Sequence, residues 1–327
     1  MSTSRTARSP TTISICAPAR LHMGFLDLGG SLGRLFGGLG VALDGIGIKI
    51  RMTRSDRLFA RGPCPERCLD TARRVAEAFD LPAGAEIDVE QSIPQHVGLG
   101  SGTQLALAIG IGLHRLHRSD RPIRDIAPVV DRGQRSGIGI AAFEYGGFVV
   151  DGGRGSETKT PPLLARFDFP VDWPLILVFD DRGQGLHGDV ERAAFAALPP
   201  FPVGEAARLC HALLLRGLPA LVERDLATFG DVITDIQRTV GDHFAPAQGG
   251  RFTSGDVERA MDWLVAHGSV GVGQTSWGPT GFCIAPSPEQ GVRLIDEARR
   301  AFASSTHLSF LLTTVRNTGA EIIELER

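Results

Sequence analysis

The chain has 327 residues, 43% of them hydrophobic and 22% charged, which is enough apolar material for a sizeable core and excludes intrinsic disorder. A formal net charge of -3 leaves no positive surplus for a nucleic-acid backbone, so a small-molecule ligand is expected and nucleic acid is not. No segment approaches the ~20 apolar residues that span a bilayer, no signal peptide is recognised, and five cysteines without paired spacing suit a reducing cytoplasm.

In chain order, Thr12–Ala17 reads as a strand, and Ile46, Ile48, Ile50 and Met52 alternate with polar or small residues as a half-buried strand does. A glycine-rich stretch lies between them. Leu69, Ala72, Val75, Ala76 and Phe79 recur at helical spacing, and Ile87 and Val89 mark a short strand before the loop Ser92–Gly102. An apolar helix follows over Leu105–Leu116, another begins at Pro122, and Gly147–Asp151 is a strand. Gly152–Pro162, with its Gly-Gly-Arg-Gly-Ser and Pro-Pro, is the expected domain linker, dividing the chain into 1–160 and 161–327. Beyond it, Leu175–Phe179 has the pattern of a fully buried strand. Helical patterns follow near 188–198, 205–216, 225–240, 256–267 and 288–303, with strands at Ser269–Gly273, Phe282–Ala285, Leu308–Thr314 and Ile322–Glu326. The sum is an α+β enzyme of two lobes with its site in the interdomain cleft.

The sharpest segment is Pro94–Ala106, containing Gly98-Leu99-Gly100-Ser101-Gly102-Thr103. Glycines let a ligand approach the backbone, and the N–H groups and dipole of the following helix favour an anion. The segment lacks the third spaced glycine of a dinucleotide fingerprint and the Gly-Lys-Ser/Thr of a Walker loop. An ordinary glycine-rich loop capped by Ser101 is the alternative. Cys64-Pro-Glu-Arg-Cys68 is half a metal site with no second half. His114 and His117, with Arg115 and Arg118, read as the cationic end of a helix. Asp180–Gly188 follows a buried strand and is placed to bring Arg182 or His187 to a cleft.

These residues carry a resemblance. Pro94–Leu107, Ala17-Pro18-Ala19-Arg20-Leu21 and the late turn Gly273–Thr280 resemble the GHMP superfamily of small-molecule kinases. With Arg20–Asp27, Arg135–Gly139 and Gly146–Gly153 they are similar to its β-ribofuranosylaminobenzene 5′-phosphate synthase branch. The resemblance spans residues 20 to 280, and the Trp277 turn is its most specific part. Where several GHMP kinases carry Ser/Cys-Gly-Ile-Met-Asp-Gln, this chain has Ser136-Gly137-Ile138-Gly139-Ile140-Ala141. Ile140 can neither accept a proton nor bind magnesium.

The resemblance implies that phosphoribosyl pyrophosphate and 4-aminobenzoate condense, releasing pyrophosphate and CO2, in tetrahydromethanopterin biosynthesis. The implied cofactor is Mg2+ on the pyrophosphate, and a homodimer is a family-level expectation. In that setting Gly98–Thr103 cradles phosphate, and Arg20 and Arg135 either pair with pyrophosphate or carboxylate or form surface ion pairs. Asp27 and Glu144 are candidate carboxylates for magnesium or the ribose hydroxyls, or else caps and ion-pair members. His22 either donates to phosphate and helps the proton balance or is structural. Trp277, flanked by Ser276 and Gly278, is a platform for the aromatic ring or a core residue. The competing readings are an ATP-dependent GHMP kinase and a sugar-phosphate sensor without catalysis.

Overall fold

A computed structural model describes residues 11–182, 198–275 and 278–325. The helix expected near 188–198, His187, Ser276 and Trp277 lie wholly or mostly outside these ranges.

The first lobe is a twisted, mostly antiparallel sheet built on a long ribbon, β1 (Thr12–Asp27) and β2 (Phe36–Arg54). Along β1, Ile13 and Ile15 are fully buried while Thr12 and Ser14 are half-buried, the period-2 alternation of a strand with one wetter face. The glycine-rich stretch 36–45, which gives no alternation to read, belongs to β2. A side chain at Gly40 would meet the Leu21 carbonyl at 2.3 Å, so glycine lets the two backbones close up there. Helix α1 (Pro65–Phe79) follows the short β3 (Phe59–Arg61), and β4 (Ala85–Gln91) pairs with both β2 and β3.

Helix α2 (Ser101–Leu116) is apolar on nearly every side because β1 and β2 cover one flank and α1, α3 (Ile123–Val129) and α4 (Ile138–Glu144) cover others. The imidazole of His114 is buried near its end, bonded to Ser119 Oγ at 2.9 Å. Burial holds the basicity of both His114 and His117 below the ordinary histidine range. The expected cationic helix end therefore rests on arginines, since these histidines are neutral.

β5 (Phe148–Asp151) pairs with β2 and with β6 (Leu163–Phe167). Gly152–Pro162 thus joins two neighbouring strands of one sheet, with the Gly152 N–H donating to the Pro162 carbonyl at 2.8 Å. Turn residues punctuate a hairpin and a linker alike, and only pairing distinguishes them. The chain leaves the first sheet after β6 and returns to it at β11 (Glu321–Leu325), which pairs antiparallel with β1.

Between these strands lies the second sheet, ordered β10-β7-β9-β8 and antiparallel: β7 (Leu175–Asp180), β8 (Val270–Gln274), β9 (Gly281–Ile284) and β10 (Leu308–Thr313). The helices of this lobe are α5 (Val203–Ala212), a π-turn over Leu213–Gly217, α6 (Leu218–Glu223), α7 (Leu226–Gln248), α8 (Gly255–Ala266) and α9 (Pro288–Ala301). Asp225 and Ser254 cap α7 and α8, accepting from Thr228 and Val257 N–H at 3.1 and 3.2 Å. Successive side chains of β7 enter different cores. Leu175 and Leu177 join the core shared with the first lobe, while Ile176 and Val178 join a second one under α8 and α9. Burial on both faces explains the unbroken apolar run read from sequence.

Because Leu177 is completely buried in the larger core, Leu177→Ala is expected to destabilise the fold by about 2–5 kcal/mol. Denaturant midpoints at constant m-value measure this; a loss below about 1 kcal/mol would mean that the site collapses around the missing atoms.

Candidate active site

The loop before α2 is fixed by three residues distant in sequence. Gly98 and Gly100 both take positive φ, 78° and 83°, which frees the loop to turn back on itself. The Gly98 carbonyl accepts from the Arg20 guanidinium on β1 and from Thr275 Oγ1 at 2.9 Å, and Thr280 Oγ1 donates to the Val97 carbonyl at 2.7 Å. Arg20 is tied again through its backbone N–H, which donates to the Leu99 carbonyl at 3.1 Å. The turn carrying Thr275 and Thr280 belongs to the second lobe, so the cleft is closed at this end by hydrogen bonds to loop backbone. Gly278 completes the fit, because a Cβ there would lie 2.8 Å from Gly98 Cα. Gly100, not Ser101, is the N-cap of α2, and no side chain caps the first turn. That leaves backbone donors at the helix start for an anion.

Two residues along β1, His22 is 2% exposed and sits at one end of a cleft between β1 and α7. Its backbone N–H donates to Thr275 Oγ1 at 3.3 Å, and its Nδ1 accepts from the Gly24 N–H at 3.3 Å. The ring proton therefore resides on Nε2, which has no partner. Burial first, and the Arg20 charge second, push its pKa down to about 3. His22 is thus a neutral donor at neutral pH. Phe25 and Phe244 meet edge to face across the cleft with centroids 6.5 Å apart, and Gln237, Gln248, Arg251 and Gln274 supply its polar lining.

Beside His22, the buried Asp151 carboxylate accepts from Gly38 N–H (3.1 Å), Gly153 N–H (2.8 Å), Ser136 Oγ (2.9 Å) and Gly137 N–H (2.8 Å). It joins β2, β5 and the entry to α4 at one point. Burial pushes its carboxyl above the usual range against the pull of these four donors. Gln104 on α2 donates to the Gly139 carbonyl at 2.8 Å and fixes the other side of that entry.

Family models for "GHMP kinases N terminal domain" and "GHMP kinases C terminal" match residues 66–147 and 218–304. Beta-ribofuranosylphenol 5'-phosphate synthase of Archaeoglobus fulgidus is 35% identical over 320 residues, 93% of this chain and 97% of the relative. The chain belongs to the beta-ribofuranosylphenol 5'-phosphate synthase family. The synthase of that name from Methanothermobacter thermautotrophicus is 32% identical over 83% of this chain and 88% of its own. Among solved structures, homoserine kinase from Cytophaga hutchinsonii superposes with a TM-score of 0.67 at 17% identity, covering 97% of this chain and 99% of that one. Lactococcus lactis galactokinase gives 0.70 at 11%, covering 97% and 96%. These likenesses show a shared GHMP fold, as the sequence motifs imply. Among the described residues no helix is long and apolar enough to cross a membrane.

The expected site residues of this synthase-family chain separate into two groups. Arg20, His22 and Gly98–Thr103 come together, with Gly278 packed beneath them; Leu99 contributes backbone only, its side chain being 1% exposed. Thr103 packs against α4, where a Cβ on Gly139 would lie 3.0 Å from its methyl. Arg135 stands in the loop entering α4, next to Ser136. Asp27 does not reach the loop. It lies seven residues beyond Arg20, roughly 20 Å along an extended strand, and its Oδ1 accepts from the Gly29 and Gly30 N–H groups at 2.8 Å each to hold a turn. Glu144 ends α4 away from the loop, exposed and paired with Arg124 at 3.5 Å. Neither carboxylate fits a protein-held magnesium beside the Gly98–Thr103 loop. Arg182 is likewise spoken for, bonded to Asp180 and Asp256. Ile140 is 1% exposed and packed in the core. Sequence reading gave no role to Asp151, Gln104, Thr275 or Thr280; all lie in or next to the quoted motifs, and only their bonding partners give them roles.

Since the pKa of His22 in the folded protein lies below its ordinary 6.5, the unfolded chain takes up the extra proton. The stability tied to its neutral form is complete above pH 6.5 and is lost progressively as pH falls toward 3. His22→Asn is expected to flatten the pH dependence of unfolding free energy between pH 6 and 4 by up to about 1.4 kcal/mol per unit. An unchanged slope would mean that His22 titrates alike in both states.

Proposed function

We propose that this chain joins C1 of phosphoribosyl pyrophosphate to a ring carbon of a para-substituted benzoate in the cytoplasm, releasing pyrophosphate and CO2. The observation that carries this reading is the juxtaposition, through Arg20 and His22 on one strand, of an uncapped helix start and an aromatic-walled cleft. The helix start and glycine loop are suited to a phosphate anion, and the cleft to a flat ring.

The anomeric C–O bond breaks with its electron pair leaving on pyrophosphate, and the electron-poor C1 is attacked by the ring carbon that bears the carboxylate. The para substituent supplies the electron density for that attack. The C–COO⁻ bond then breaks, its pair returns to the ring, and aromaticity is restored without an enzyme-bound electron sink. The chain's contribution is alignment and fixed dipoles. The loop holds the anion, the cleft holds the ring, and Nε2–H of His22 donates to a substrate oxygen because it carries the proton and has no protein partner. Magnesium in this proposal arrives as the counter-ion of phosphoribosyl pyrophosphate, since Asp27 and Glu144 are engaged elsewhere.

The resemblance read from sequence points to 4-aminobenzoate as ring substrate, whereas the relatives are named for a phenol product. That word favours 4-hydroxybenzoate as the second reading. Both acids meet the same demand, a para group with a lone pair.

With Mg2+, phosphoribosyl pyrophosphate and a carboxyl-labelled acid, pyrophosphate and CO2 are expected in equal amounts, and the ratio of kcat/KM values ranks the two acids. Stoichiometric ADP formation from ATP and a small alcohol would sink the proposal in favour of a kinase. Separately, Ser101→Val should weaken binding of phosphoribosyl pyrophosphate by crowding the helix start; unchanged affinity in calorimetry would make the loop purely structural.

A further inference from the structure

The flank of the phosphate loop facing away from the second lobe holds two arginines to which the sequence gave no role, Arg67 within the Cys64–Cys68 segment and Arg132. Arg67 lies in the first turn of α1 and Arg132 just after α3. A Cβ placed on Gly102, in the first turn of α2, would lie 3.3 Å from Arg132 Nη2 and 3.6 Å from Arg67 Nη1. Both guanidinium groups therefore converge on one point at the helix start. Among the described residues neither has a carboxylate partner. Asp131, adjacent to Arg132, pairs instead with Arg74 at 2.7 Å.

This arrangement is unfavourable on three counts unless something negative is added. Two like charges face one another. Arg67 occupies the N-terminal turn of α1, where the helix dipole disfavours a cation. Arg132 is largely buried, its Nε fully so and without any acceptor, an omission that costs a protein stability. Burial, reinforced by Arg67, lowers the basicity of Arg132. A small, mainly apolar cavity lined by Ile48, Pro63, Arg67, Val89, Ser101 and Leu105 opens beside Arg67.

We propose that Arg67 and Arg132, with the first turn of α2, form the receptor for the diphosphate of the sugar substrate. The inference rests on the reading of the loop as a phosphate cradle and adds where the leaving group sits. Two forked cations suit an anion with several oxygens on two phosphorus atoms. Their position is also mechanistically apt. Gly98 faces Thr275 and the second lobe, whereas Gly102 faces Arg67 and Arg132. The diphosphate thus departs on the side of the loop away from the ring cleft, as backside attack at C1 requires.

Calorimetric titration of the full chain with pyrophosphate, in Mg2+, tests this on Arg67→Gln, Arg132→Gln and Arg132→Lys. Each Gln variant is expected to bind pyrophosphate on the order of 10- to 100-fold more weakly, as loss of a hydrogen bond to a charged group implies. Arg132→Lys should recover part of the affinity. Without ligand, Arg67→Gln should melt at the parent temperature or above it, because a repulsion has been removed. A merely structural arginine would instead lower it. Wild-type affinity in both Gln variants would overturn the receptor while leaving the loop reading intact. Losses confined to ribose 5-phosphate would overturn the diphosphate assignment. If the parent protein binds neither pyrophosphate nor phosphoribosyl pyrophosphate, the phosphate reading itself falls, and this inference with it.

Discussion

One backbone carbonyl, that of Gly98, is the point on which the site depends. It accepts from a guanidinium of the first lobe and a hydroxyl of the second, so the loop cannot shift without breaking bonds in both. Thr275 relays this further, since the hydroxyl that donates to Gly98 also accepts from the backbone of His22. The position of the Gly98–Thr103 turn and that of the buried imidazole are therefore set by one hydrogen-bonded chain. Thr275 and Thr280 are both completely buried, which strengthens these bonds and makes their loss costly.

The same arrangement explains how a kinase fold hosts chemistry other than phosphoryl transfer to an alcohol. What the GHMP scaffold supplies is an exposed helix start beside a cleft between two lobes, and that is a general anion holder. Ile140, where the sequence resemblance places the carboxylate of several GHMP kinases, is a core residue. The buried carboxylate nearby, Asp151, is occupied by four donors and acts as a structural clip. Among the described residues of this region, one buried side-chain atom left without a partner is a hydrogen-bond donor, His22 Nε2, which lies by Gly38 on the side of Asp151 and Ser136.

Much of this was legible in the sequence because the relevant signals are local. The Gly98–Thr103 loop announces itself by glycine spacing before an apolar run, and β7 by an unbroken aliphatic stretch. The glycine-rich segment 36–45 was illegible as a strand because glycines hide the alternation that marks one. Gly152–Pro162 misled because a hairpin and a linker use the same residues. Among site residues, Arg20 and His22 stand out by motif, but Asp27 and Glu144 were drawn in by residue type and are excluded by position. Arg67 and Arg132 were invisible for the opposite reason: each is one arginine among many, and only the fold brings their tips to Gly102.

The return of β11 to pair with β1 bears on how this protein is made. The second lobe is inserted between β6 and β11 of the first, so the usual order in which an N-terminal domain folds as soon as it emerges from the ribosome does not apply. Until residues 321–325 are synthesised, β1 presents an open edge along its first five residues, an invitation to pair with another nascent chain. The strand that carries Arg20 and His22 near its middle thus keeps its first residues without their second partner until residues 321–325 have been made, and the first lobe is completed late although most of its strands are translated early.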